Sequence, residues 1–250
     1  MKVKGHEKTN IFSLFKTTFK DKSIWIFVVA VVLVVEVAQA ITVFLNQAQY
    51  VKSGIDPKYF GLIIAGIQVV RLMSVKASSF SKRVGDVRAI SILVVFIILS
   101  CMVLIFANGP ILSVVGVFVI ALSISMIGPI EVDIKNRSIH GRDRATILSI
   151  YSMVGGLIAS LGNVVIGKVA DHSLRGGFLI CVFMSLGSLI LLGIYSKCQK
   201  NFLDHGVEKT IINTRMKICI TECERIAYYE IKSPSKYIRN PIALKRAIFL

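Results

Sequence analysis

Residues that do chemistry are what this sequence has least of. Among 250 residues there are four histidines, and His6, His140, His172 and His205 all fall outside the long apolar stretches. No imidazole is therefore placed to ligate haem or another redox centre within a membrane. No Walker-type phosphate loop, no Ser, His and Asp set and no metal-ligand cluster occurs. Neither an enzymatic activity nor a metal or cofactor is expected. The five cysteines are scattered: Cys101 and Cys181 in apolar runs, Cys198 at a helix end, Cys219 and Cys223 nearer the C-terminus. The last two have the spacing of half a zinc site, but no second Cys or His pair follows, so unpaired thiols are the reading. A cleavable signal is not expected, because the first apolar run is too long for one and no small-residue cleavage site closes it. Lipidation is not expected either, since Lys2 follows the initial Met and the sequence closes on Ala-Ile-Phe-Leu.

Apolar runs are what it has in excess. The hydrophobic residue types make up 54% of the chain and the mean hydropathy is +0.72, well above a water-soluble domain of this length. Six runs, each about long enough to cross a bilayer, fill residues 24–196. The spacing predicts spans over 24–46, 59–80, 89–107, 111–134, 145–170 and 178–196, an all-α membrane protein built as a six-helix transmembrane bundle. Asn108-Gly109-Pro110 reads as a tight hairpin turn, and Gly128-Pro129 as a kink inside the fourth span. Residues 1–23 form a basic segment. Within it Phe12, Phe15 and Phe19, beside Lys16 and Lys20, suit either an interfacial helix lying on anionic lipid or an extension of the first span. Residues 197–250 form a polar, basic tail to which no function is assigned.

The net charge of +16 would suggest nucleic acid in a soluble protein. Here its distribution has a simpler cause. Lys and Arg number six before the first span, four in 76–88, four in 135–144 and eleven in the tail, against two, none and two in the intervening loops. Excess Lys and Arg in alternate loops marks the cytoplasmic side, so the expectation is a multi-pass protein with both termini in the cytoplasm. The lipid bilayer, and not nucleic acid, is its partner.

Ionisable groups deep in a span point to function, because each costs several kcal/mol (~2.5–3.5) to bury in hydrocarbon unless paired or wetted. Glu36 and Arg71 lie near the middles of the first and second spans. Counting at about 100° per residue places Glu36, Gln39, Thr42 and Asn46 on one side of their helix, and Gln68, Arg71, Ser74 and Ser78 on one side of theirs. Two polar stripes at matching depth predict a shared wet cavity in which the carboxylate of Glu36 takes up and releases a proton. A Glu36–Arg71 ion pair that only joins helices is the plainer alternative. Lys76 lies near a span end and snorkels. Glu131 and Asp133, close in sequence to Arg137, Arg142 and Arg144, predict a cytoplasmic charge network that latches helix ends and gates the path. In the fifth span Gly155, Ala159, Asn163 and Gly167 recur every four residues, beside Ser152, Gly156 and Ser160, a small-residue stripe for close helix packing.

The stretches Asn136-Arg137, Arg144-Ala145-Thr146-Ile147-Leu148-Ser149, Gly155-Gly156 and Gly167-Lys168-Val169-Ala170-Asp171 resemble the corresponding loop and eleventh helix of major facilitator superfamily transporters, notably bacterial efflux-type members. The resemblance covers about residues 10–198, the C-terminal six-helix half of such a transporter. The family's loop motif G-x-x-x-D-R-x-G-R-[RK] aligns with residues 78–87, where only Arg83 and Gly85 match. Ser78, Lys82 and Asp86 depart from it, which counts against a gating role for that loop. The resemblance implies a plasma-membrane protein that moves a small-molecule substrate by alternating access, as an antiporter or other carrier driven by a coupling ion, H+ above all. In that family the path lies between two six-helix halves, so it also implies a partner half or a homodimer partner. The competing expectation is a non-transporting membrane interaction module or an inactive transporter fragment.

Overall fold

A computed structural model describes residues 22–139 and 144–199; the expected interfacial segment within 1–23 and the 197–250 tail beyond residue 199 lie outside them. Among the described residues six helices are long and apolar enough to cross a membrane: α1 Ser23–Lys52, α2 Pro57–Val84, α3 Asp86–Phe106, α4 Pro110–Ser138, α5 Arg144–His172 and α6 Leu174–Gln199. This is a multi-pass helical membrane protein. In hydrocarbon each backbone N–H and C=O must be satisfied within its own segment, which is why the long apolar runs all fold as helices.

The helices run past the apolar runs into polar sequence. α1 continues to Lys52 and not to residue 46, and α2 runs from Pro57 to Val84. The expected 171–177 loop shrinks to Ser173, between His172 and Leu174. Polar residues beyond the hydrocarbon keep the helical backbone, and the ends fall where local chemistry stops it. Gly54, at φ +78°, closes α1 with Gly54 N–H donating to Val51 O and Ile55 N–H to Tyr50 O, a left-handed cap that glycine adopts without steric cost. Asp56 then caps α2 by accepting from Lys58 N–H, with Pro57 in the first turn. Gly85, at φ +95°, turns the chain between α2 and α3 in one residue.

Two helices are irregular. α1 carries a π-helical segment at Ala40–Leu45, and α2 a 3-10 segment at Leu72–Lys76 directly after Arg71. Pro129 lies inside α4, at the expected Gly128-Pro129 position.

α1 is the most buried of the six and α2 the least. α3 and α4 form a tightly packed hairpin, α2 lies on α4, and α1 packs between α4 and α5. Ring contacts and a hydrogen bond set the directions. Trp25 meets Tyr151 edge-on at 5.1 Å, and Val32 lies against Gly155, so α1 and α5 run parallel. Phe27 meets Tyr195 and Ser188 Oγ donates to Ala30 O at 2.6 Å, so α6 runs antiparallel to α1. The outward surface is apolar, with Leu62, Val75, Phe106, Ile111, Phe183 and Ile190 all exposed. That is the expected face of a bundle whose solvent is lipid.

Candidate functional site: a buried carboxyl between α1 and α5

Glu36 stands midway along α1 and is only 4% exposed. The space for its side chain is made by α5. A Cβ at Gly162 would lie 3.3 Å from Glu36 Cγ and 3.2 Å from Met184 Cε, so α1, α5 and α6 meet closely here and an added side chain would make its neighbours give way. Asn163, next in the chain, lies on the exposed flank of α5. Glu36 Oε1 is buried and has no hydrogen-bond partner among the described residues, and Ser185 Oγ on α6 is in the same condition.

The plainer alternative of a Glu36–Arg71 ion pair does not form: no ion pair joins the two among the described residues. The reason is lateral placement. The flank of α1 that carries Glu36 is covered by α5 and α6, whereas α2 packs on α4, where Gly66 lies against the Phe118 ring. Arg71 sits half-buried at the junction with the 3-10 segment, its Nε buried without a partner among the described residues. Both groups do lie midway along their helices, as expected, but on different neighbours.

The polar stripe on α1 also divides. Gln39 is exposed while Asn46 is buried. The π segment takes more residues per turn than an α-helix, so a register counted from Glu36 does not carry past Ala40. Asn46 is not a free cavity group. Its Nδ2 donates to Thr42 O at 2.8 Å and its Oδ1 accepts from Gln47 N–H at 2.7 Å, while Thr42 Oγ1 donates to Ala38 O. These bonds satisfy backbone groups around the π segment. On α2, Gln68 is exposed.

The small-residue stripe of α5 divides between a buried and an exposed face. Gly155 packs on Val32 and is buried, Ala159 is half-buried, and Asn163 and Gly167 are exposed, with nothing among the described residues within 4 Å of a Cβ built at Gly167. Four residues advance a helix by about 400°, so a strict four-residue spacing drifts about 40° per step and has turned about 120° away after three. The buried face follows Tyr151, Gly155, Gly162 and Ile166 instead.

The charged cluster at the basic end forms with different members. Arg137 donates to Asp86 Oδ2 and to Asp133 Oδ2, each at 2.5 Å, and Ser81 Oγ donates to Asp86. Glu131 pairs with Lys135 one turn on. Arg144, exposed at the start of α5, makes no ion pair among the described residues. Asp86 departs from the loop motif, which counts against a gating role for that loop, yet it is the acid that ties the α2–α3 connection to α4. An open cleft of about 530 Å³ lies there, lined by Ser78, Lys82, Gly85, Asp86, Pro129 and Arg137 among others.

At the opposite end lies a polar knot that sequence reasoning missed. Gln49 Nε2 donates to Ala107 O and Ser113 Oγ, each at 3.0 Å, and Ser53 Oγ meets Ser113 Oγ at 2.5 Å. Gln49 and Ser113 are fully buried. The signal was present as Gln49 and Ser53, one turn apart beyond the apolar run, facing the Asn108-Gly109-Pro110 turn.

Compared with family models, curated proteins and solved structures, the chain matches none. What its described residues define is a class: a helical membrane bundle of six spans with a buried carboxyl between the first and the fifth.

Proposed function

We propose that this chain is a half-length carrier of the major facilitator type, moving a small solute across the plasma membrane by alternating access and driven by protons. Glu36 is its coupling carboxyl. The observation that carries this reading is a carboxyl buried midway along an apolar span with one oxygen unpartnered. A group so costly to hold in hydrocarbon is kept where it binds and releases a charge. Gln39, Gln68 and Arg71 belong to the solute path, Arg71 as a fixed positive charge and not as the partner of Glu36. Asn46 and the α5 glycines serve packing. The Asp86–Arg137–Asp133 cluster is the gate at the cytoplasmic side, where both termini lie.

The sparse burial of α2 supports a missing neighbour, either a second six-helix half or a second copy of this chain. The efflux direction and antiport follow the resemblance given above.

The test is dye efflux from cells expressing the full chain, with ethidium as the probe, with and without a proton uncoupler. Uncoupler-sensitive efflux that Glu36→Gln abolishes supports the proposal. Coupled efflux that is unchanged in Glu36→Gln overturns the role of Glu36.

A further inference from the structure

Arg71 is a charge midway along an apolar span that nothing in its own bundle neutralises. α2 packs on α4 along its length and on α3 at its Val84 end. α4 has no Asp or Glu from residue 110 to 130, and the one acid of α3, Asp86, stands at its first residue and is held by Arg137. Glu36 lies against α5 and α6 instead. Arg71 accordingly makes no ion pair among the described residues, and its Nε is buried without a partner. The flank of α2 beside it is open, with Gln68, Leu72 and Val75 all exposed. Exposed leucine and valine need only lipid. A guanidinium at this depth is costly to hold unless it is paired or wetted.

From this placement we infer that the open flank of α2 docks a span of a different membrane polypeptide, one that carries an Asp or Glu at mid-depth, and that this carboxylate pairs with Arg71. The inference rests on the reading of α2 as a helix missing its neighbour, and it separates the two neighbours named there. A second copy of this chain does not serve. Among the described residues its carboxyls are Glu36, Asp56, Asp86, Glu131, Asp133 and Asp171. Only Glu36 lies at mid-span, and it is buried against α5 and α6. A two-fold contact of α2 with α2 would also set the same patch against itself, guanidinium toward guanidinium. A carboxylate suits the site because the planar guanidinium fork takes its two oxygens side by side. Such a pair also fixes the relative depth of the two helices, which apolar surface in lipid does not.

The probe is a synthetic membrane-spanning peptide of leucine and alanine with one glutamate at its centre, and the same peptide with leucine at the centre is its control. The full chain, carrying a fluorescent donor, is reconstituted in lipid vesicles with either peptide carrying an acceptor, and association is read by energy transfer. Wild type is expected to bind the glutamate peptide about tenfold tighter than the leucine peptide, the size of one hydrogen bond to a charged group. Arg71→Leu is expected to abolish that difference, and Arg71→Lys to keep part of it. Arg71→Gln carries the same comparison should the Leu variant fail to insert. Donor- and acceptor-labelled chains without peptide are expected to show no transfer beyond random encounter. Equal binding of both peptides to wild type, or a preference that persists in the Leu or Gln variant, overturns the assignment of Arg71 alone. Self-association of the chain that displaces the glutamate peptide gives the flank to a second copy and overturns the different partner. If neither peptide nor a second copy associates, the reading of α2 as missing a neighbour fails as well.

Discussion

Glu36 lies tightly against Gly162: its Cγ is 3.3 Å from the Cβ position of residue 162. The glycine and the carboxyl are one packing unit, eleven residues beyond the aromatic contact of Trp25 with Tyr151 on both helices.

Replacing that glycine crowds both Glu36 and Met184. Gly162→Leu is expected to lower stability by about 1–3 kcal/mol, the usual cost of overpacking. Gly156→Ala and Gly167→Ala, where a Cβ meets nothing among the described residues, are expected to be neutral or to gain up to about 1 kcal/mol from helix propensity. Thermal unfolding in detergent, compared across the three variants, checks the order.

The neighbour of Glu36 can be read by cross-linking. In a background without the native cysteines, Glu36→Cys with Gly162→Cys is expected to form a disulfide on mild oxidation. Glu36→Cys with Arg71→Cys is expected to form none, since bridging needs Cα atoms within about 7 Å. Efficient cross-linking of the second pair and not the first would return the ion-pair arrangement that the sequence suggested.

At the far end of α1, Gln49 is the hub. Gln49→Leu is expected to cost about 1–3 kcal/mol, because Ala107 O and the two serine hydroxyls lose a buried donor. Ser113→Ala is expected to cost about 1 kcal/mol, with a measurable coupling between the two sites in a double-mutant cycle. Additive losses would show that the contacts are incidental.

Arg137 is more than half exposed, so its two carboxylate contacts are screened. Arg137→Ala is expected to cost at most about 1 kcal/mol at low salt and less at high salt. Arg144→Ala is expected to change nothing. Denaturation midpoints at two ionic strengths distinguish the two arginines.

Much of the architecture was legible in the sequence because lipid demands it. Six runs had to be helices, and Asn108-Gly109-Pro110 had to turn. Glu36 and Arg71 were recognisable as unusual from depth alone. What sequence could not supply was which flank meets which helix. In a bilayer apolar surface carries no preference for a neighbour over lipid, so lateral order depends on small details of shape such as Gly162 against Met184. Angular counting failed twice for physical reasons: a four-residue repeat drifts around an α-helix, and the π segment resets the register of α1. Asp86 was hidden for a third reason, since a degenerate motif drew attention to the base it replaced.

The π segment has a consequence for how this chain tolerates change in length. α1 is held below it by Gly162 and Ser188 and above it by Gln49. A π turn holds about one residue more than an α turn closing the same distance. Deleting one residue within Ala40–Leu45 is therefore expected to restore a continuous α-helix with both anchors still in place. A deletion between Ala30 and Glu36 would rotate the carboxyl about 100° away from α5. The π segment is thus the place in α1 where the gene can lose a codon without moving Glu36.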